Sequence, residues 1–378
     1  MRLRQLPVRF TLFLLGLTLA ACCRTDQTTS CNNTSSSTTA GSSDGTGNNV
    51  RFNQLIGIAV DAAGNLFVSD TGNNTIRKVT SAGVATTVAG SAGNVGSTDG
   101  NAQNARFNQP GGIAVDVSGN LYVADTQNNT IRKITSAGVV STLAGSAGQT
   151  GQVDGVAGNA RFNQPWGVVL DTAGNLYVAD TGNDTVRKIT PTGIVTTLAG
   201  SAGNVGSSDG NGSNAQFNLP LGIAIDSATN LYIADTSNNT IRKLTPAGDV
   251  STLAGSSGNS GSNDGSGTRA SFNQPNGIVV DSSGNIRIAD TGNQLIRSVS
   301  ASGIVSTIAG AAGNAGSADG NGNNAKFNQP KGIAADAANN LYVADTGNNL
   351  LRKVTPGGQV TTLLSGGSGS SCLCLFNF

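Results

Sequence analysis

Beyond residue 50 the chain is a succession of short apolar runs separated by polar, glycine-rich segments. Between residues 110 and 145 four such runs follow one another: 112–116, 120–125, 130–135 and 139–144. They are rich in Val, Ile, Thr and Tyr and hold no internal Pro. Runs of this kind predict β-strands. The first connection offers Asp116 and Gly119, and the third offers Thr135 and Gly138. A short side chain that hydrogen-bonds the backbone, beside a Gly that accepts positive φ, is tight-turn chemistry. The middle connection, from Asp125 to Asn129, is longer and polar. The stretch therefore reads as an antiparallel meander of four strands. Apolar residues, many as small as Ala, lie on both faces, which suits a sheet covered on both sides.

The unit is written six times. Asp70, Asp125, Asp180, Asp235, Asp290 and Asp345 recur at a step of 55. Phe52, Phe107, Phe162, Phe217, Phe272 and Phe327 keep the same step, as do the Asp-Gly pairs at Asp44, Asp99, Asp154, Asp209, Asp264 and Asp319. Six units fill residues 41–370 with no insertion. A fixed period of this size marks a repeat architecture. Sheets covered on both faces by copies of themselves fit the blades of a propeller; the coils of a parallel β-helix are much shorter. The expected fold class is all-β: a six-bladed β-propeller of four-stranded antiparallel blades in 55-residue repeats.

The pattern from Pro110 to Lys133, Pro-Gly-Gly-Ile-Ala-Val-Asp, then Asn-Leu-Tyr-Val-Ala-Asp-Thr and Ile-Arg-Lys, resembles the NHL repeat. The resemblance covers all six units in register and implies a six-bladed propeller. One departure is Thr130, which stands where the family often has Arg directly after the Asn pair; Arg132 comes two residues later.

Composition narrows the chemistry. Of 378 residues only 11% are charged, and 53 are Gly. There is no His, and all 21 acidic residues are Asp. Ser-His-Asp triads, Cys-His pairs, His-ligated zinc and Glu general acids are therefore excluded within this chain. Six-bladed propellers resembling this one include metal-dependent lactonases and amidating lyases. Those use Glu or His in the channel.

The N-terminus reads as an address. Arg2, Arg4 and Arg9 precede an apolar stretch from Leu12 to Ala20, too short to span a bilayer but suited to a secretory leader. It ends in Leu19-Ala20-Ala21-Cys22, which resembles the bacterial lipobox. That resemblance implies a signal peptide over 1–21, diacylation of Cys22 and anchoring on the exported side of a bacterial envelope membrane, periplasmic or surface. Ordinary cleavage after Ala21 is the alternative. Residues 22–40 are Ser, Thr and Asn rich and read as a tether. Removing three Arg from 22 basic residues leaves 19 against 21 acidic ones, a net −2. Nucleic-acid binding needs a basic footprint and is not expected.

Several residue sets are candidates for chemistry. The Asp70 series forms either a ring of carboxylates for a cation or a set of loop caps paired with Arg77, Arg132, Arg187, Arg242, Arg297 and Arg352; recurrence in every blade favours the second. The Asp-Gly loops, such as Asp319 to Asn323, space oxygens as calcium loops do, but without a closing Glu. We expect the Asp to start a helical turn instead and the following Phe to plug the gap between blades. Cys23, Cys31, Cys372 and Cys374 flank the repeats, and a disulfide clasp between the two ends is one reading of an even set; idle thiols are another. No residue is assigned a catalytic or metal-binding role.

Divergence inside a uniform repeat marks specialisation. The residue that begins the first strand is Ile56, Gly111, Trp166, Leu221, Asn276 or Lys331, the most varied site of the unit. It is expected at the channel mouth, on the face built by the long interblade loops. Trp166 is the single Trp. Arg287 replaces an aromatic found in the other five units, and Lys326 and Arg161 precede their Phe. The alternative for all of them is drift at tolerant positions. The expected function is a non-enzymatic, envelope-anchored binding or scaffold propeller, with a protein or glycan partner, no cofactor and a lipid anchor in the membrane. A metal-dependent hydrolase or lyase of the lactonase kind, acting at the central channel, is the alternative.

Overall fold

Residues 45–90 pair into one antiparallel sheet in the computed structural model, which describes residues 40–364. Its strands are β1 (Gly45–Thr46), β2 (Leu55–Val60), β3 (Leu66–Asp70), β4 (Thr75–Val79) and β5 (Val84–Gly90), in the spatial order β1-β5-β4-β3-β2. The pattern repeats, so the described residues form six five-stranded blades. The expected four-stranded blade is corrected by β1, in which Gly45 and Thr46 pair with Ala85 and Val84. A two-residue strand that opens on Gly is too short to carry a strand signal. Its residues pair because they shield the open edge of β5.

The same pairing corrects the course of the long loops. They do not stand up as a rim on one face. In the second repeat Gly100 and Asn101 pair with Val140 and Val139 at the start of the fourth long strand. The loop thus descends the outer edge of its blade and then climbs back: Arg106 N donates to Thr98 O and Gly96 N to Phe107 O. Its last residues, Asn108 and Gln109, return to the mouth of the channel, beside Val95 near its start.

The core lies between blades. Ile76 and Ala89 of the first blade share a buried cluster with Phe107, Ile113 and Val123 of the second. Phe107 is fully buried. The small residues on both sheet faces let neighbouring blades approach, as their alternation with large ones predicts. Each blade also fastens to the next through its Thr: Thr71 Oγ1 donates to Pro110 O at 2.6 Å. Gln109 N donates to Asn74 Oδ1 at 2.8 Å.

The ring closes with the same seam. Val50, Phe52 and Leu55 share a cluster with Ala334, Ala344 and Leu351 of the sixth blade. Thr346 Oγ1 donates to Leu55 O at 2.7 Å, and Gln54 N to Asn349 Oδ1 at 2.7 Å. Among the described residues no strand is exchanged between repeats. The expected leader, Cys22, Cys23 and Cys31, together with Cys372 and Cys374, lie outside the described residues.

Candidate binding site at the channel mouth

The mouth is shaped by a bulge at the start of the inner strand. Leu55 pairs with Asp70 and Ile58 with Val68, so Ile56 and Gly57 together oppose Ser69. The same register shift recurs in all six blades. A bulge bends a strand and re-aims its side chains. Here it brings the six varied residues, Ile56, Gly111, Trp166, Leu221, Asn276 and Lys331, to the axial end of their strands.

The next position is Gly in every blade, and the contact explains why. A methyl group on Gly57 would overlap the carbonyl oxygen of Gly111, and one on Gly112 that of Trp166. The series continues to Gly332, which meets the carbonyl of Ile56. Below these glycines sit Ile58, Ile113, Val168, Ile223, Ile278 and Ile333, all buried. The axis beneath the mouth is accordingly narrow and apolar, with a cavity of about 70 Å³.

Above it the mouth opens into a bowl of about 710 Å³. Trp166, Leu219 and Leu221 form an apolar sector on the third and fourth blades. Asn273, Gln274, Asn276, Gln329 and Lys331 form a polar sector on the fifth and sixth. The 3-10 turns after the second long strand of several blades complete the wall, through residues such as Thr126 and Ser237. Trp166 also lines the axial cavity and, with Ile56 and Lys331, an adjoining recess of about 240 Å³. Gly111 lies against the indole: a Cβ there would stand 3.5 Å from Trp166 Cδ2. Lys331 is half-buried, and burial pulls its ammonium below its ordinary pKa.

One ring of mouth residues escaped the sequence reading. Gln54, Gln109, Gln164, Leu219, Gln274 and Gln329 hold φ between 49° and 52°. Non-Gly residues in this left-handed region are uncommon, and such strain gathers at ligand-facing positions. The backbone N–H of Leu219 is held there by Asp184 Oδ1 at 2.7 Å. The signal available in the sequence was the single Leu among five Gln at a recurring site.

The recurring aspartates are structural. Asp125 is fully buried. Its Oδ1 accepts from Asn108 N at 2.8 Å, and its Oδ2 from Asn128 Nδ2 at 2.8 Å and Arg132 Nη1 at 2.7 Å. Burial pushes its carboxyl up to about 6, against the charge of Arg132 and these donors, which pull it down. Arg132 is fully buried as well, 5.1 Å from the Phe107 ring centroid. Its Nε has no hydrogen-bond partner among the described residues. The ring face offers that desolvated cation an electrostatic partner.

The Asp-Gly loops are corrected too. Asp99 does not start the 3-10 turn Ala102–Asn104, which has no side-chain cap. Its Oδ1 pairs with Arg132 Nη2 at 2.7 Å, and its Oδ2 accepts from Thr142 N at 3.0 Å. These carboxylates are occupied by donors of the chain itself. The Phe expectation agrees with the structure: Phe107 and its counterparts fill the interblade clusters.

Arg161, Lys326 and Arg287 are not brought to the mouth. Arg161 Nη1 donates to Gly158 O and Ala160 O within its own loop. The aliphatic stem of Lys326 packs on Gly316. Arg287 lies at the other end of its blade, where other repeats place Tyr over Lys, as Tyr177 does with Lys188. There it donates from Nε to Asp281 Oδ2 at 2.8 Å and from Nη1 to Ser298 Oγ at 2.7 Å. Ser298 replaces the Lys that would repel it.

A closed ring of six blades with a walled, varied mouth is a six-bladed β-propeller. Its repeats are NHL repeats. The NHL repeat model matches residues 52–79, 162–189, 217–244, 272–297 and 327–354, and the Teneurin NHL domain model matches 94–154. The chain is 32% identical over 316 residues to Protein SUPPRESSOR OF QUENCHING 1, chloroplastic, of Arabidopsis thaliana, covering 79% of this chain and 30% of the plant protein. It is 38% identical over 154 residues to NHL repeat-containing protein 2 of Bos taurus, covering 37% of this chain and 21% of that protein. The chain thus spans less than a third of either relative. A structure of a protein of unknown function from Bacteroides thetaiotaomicron superposes with a TM-score of 0.66 at 23% identity, over 84% of this chain and 73% of that one. An auxiliary nutrient binding protein from the same organism gives 0.62 at 17%, over 85% and 72%. A catalytically inactive His-to-Ala variant of virginiamycin B lyase from Staphylococcus aureus, with quinupristin, gives 0.53 at 16%, over 84% and 85%. At these identities the structural likenesses speak for the fold.

Proposed function

We propose that this propeller is a non-enzymatic binding or scaffolding protein that presents its mouth to a protein or glycan partner. One observation carries the reading. The bowl gathers four of the six residues at the most varied position of an otherwise uniform repeat, Trp166, Leu221, Asn276 and Lys331, above a small axial cavity. A concave surface with an apolar sector and a few converging polar groups is the usual form of a ligand site. The nutrient-binding neighbour from Bacteroides thetaiotaomicron shares this fold, and its described role fits the same reading.

The alternative, a metal-dependent hydrolase or lyase, finds little support along the axis. Its inner rings are Gly and Ile or Val, and the nearby aspartates are tied to Arg. The lyase neighbour loses activity when a His becomes Ala, and this chain has no His.

We further propose envelope anchoring through a lipid on Cys22. Metabolic labelling with a radioactive fatty acid tests it: label on the native chain and none on Cys22→Ser supports the anchor. Binding is tested by crosslinking capture from the native envelope. The full chain is compared with a variant carrying Trp166→Ala, Asn276→Ala and Lys331→Ala. A partner kept by the first and lost by the second supports the mouth as the site; equal capture by both overturns it.

A further inference from the structure

The polar and apolar sectors of the bowl are set apart by charge as well as by composition. Lys331 is the single charged residue that lines it. Its ammonium makes no ion pair or hydrogen bond among those found in the described residues, although it is half-buried and so partly desolvated. A desolvated charge without a partner is costly, and an incoming anion relieves that cost. Asp184, on the third blade opposite Lys331 across the ring, is engaged by Leu219 N. The other recurring carboxylates near this face, those of the Asp70 series, are consumed by the buried Arg residues.

We infer that the mouth binds a small organic monoanion, a carboxylate carried on an apolar or aromatic body. The inference rests on the mouth being the binding surface. The carboxylate meets Lys331 and the side-chain amides of Asn276 and Gln329. The body lies against Trp166 and Leu221. A single cation with no Arg beside it matches one negative charge; a phosphate dianion calls for a denser cluster or a bidentate fork. An indole face is a broad, rigid platform for a flat or apolar group. The bowl is roomier than such a ligand needs, so ordered water completes the fit.

The test uses the lone Trp as reporter. The full-length chain is titrated with N-acetylphenylalaninate and with its neutral isostere N-acetylphenylalaninamide, while Trp166 fluorescence and calorimetric heat are followed. The carboxylate is expected to bind about tenfold more tightly than the amide, about 1.4 kcal/mol. Lys331→Gln is expected to remove that preference by lowering carboxylate affinity to that of the amide, with an unaltered thermal midpoint showing that the ring still folds. Equal binding of the two probes, a Lys331→Gln variant that keeps the preference, or no binding of either up to about 10 mM, near the weak end of measurable affinity, overturns the inference. If envelope capture still fails on the triple variant in that case, the binding face stands and the carboxylate ligand alone falls.

Discussion

The carbonyl oxygen of Ile56 lies against the Cα of Gly332, leaving no room for a side chain at that glycine. This contact joins the first blade to the sixth, and it is one of six alike around the axis. Backbone meets backbone there, so neither partner can swing aside as a side chain would.

Gly332→Ala should therefore force the inner strands of the first and sixth blades apart. Overpacking of this sort costs about 2–3 kcal/mol. Gly357→Ala is the matched control, because a Cβ at Gly357 would meet only Thr355 Oγ1 at 4.0 Å. Urea unfolding of both variants checks it. Equal stability of the two would show that the strands yield without cost.

Asp125→Ala leaves the fully buried Arg132 without its internal carboxylate. Breaking such a pair from one side costs about 3–5 kcal/mol. Asp125→Leu combined with Arg132→Met removes both charges and should lose less than the single change. Recovery will be incomplete, because the carbonyls of Arg106 and Thr98 also depend on that guanidinium. A double variant weaker than Asp125→Ala in chemical unfolding would contradict this account.

The pH dependence has two limbs. Burial raises the folded pKa of Asp70, Asp125, Asp180, Asp290 and Asp345 from 3.8 to about 6. The folded ring then holds protons more tightly than the unfolded chain in that window, so stability should rise as pH falls from about 7 towards 5. Asp116, Asp171, Asp226 and Asp336 behave oppositely. Burial works to raise them, but hydrogen bonds from the adjoining turn, including Asn120 on Asp116, outweigh it and set them below 3.8. Their contribution is lost as pH drops below about 4. Thermal midpoints should therefore peak near pH 4, roughly where the unfolded carboxylates titrate. A midpoint that climbs steadily from pH 5 to 8 would refute the raised values.

Arg287 and Ser298 should behave as a pair. Ser298→Lys alone sets a second cation beside the guanidinium and is expected to cost about 1 kcal/mol. Adding Arg287→Tyr rebuilds the Tyr-over-Lys contact of the other blades and should regain most of that loss. A double-mutant cycle on thermal unfolding measures the coupling; additive effects would mean the two changes arose independently.

Much of the fold could be read from the chain because each repeat states its own strands. The 55-residue step of Phe52, Asp70 and their counterparts fixes the blade count, and the Val- and Ile-rich runs fix four strands. The fifth strand was hidden for a physical reason. Gly45 and Thr46 pair through position alone. The loop that carries the next such pair is steered by Asp99 meeting Arg132, residues 33 apart in the chain, which local patterning does not reveal. At the mouth, Trp166 and Lys331 stood out as departures from a uniform site, yet their sharing of one bowl appears only when the ring closes. The Gln109 series drew no notice because it recurs; its left-handed backbone and its place on the wall are tertiary facts.

Every blade draws its five strands from one repeat, and the join between the sixth blade and the first is built like the other five. Leu364 occupies the place of Ala89, and Ala40 that of Val95, five periods and one period along. A five-residue linker standing in for residues 90–94 would therefore splice the described chain into a continuous loop. Cut afresh in any other interblade segment, that loop would give five new chain orders with the same ring. The protein is, in effect, a bracelet of like links in which the clasp is indistinguishable from the rest, and its working surface is set only by which bead carries which stone.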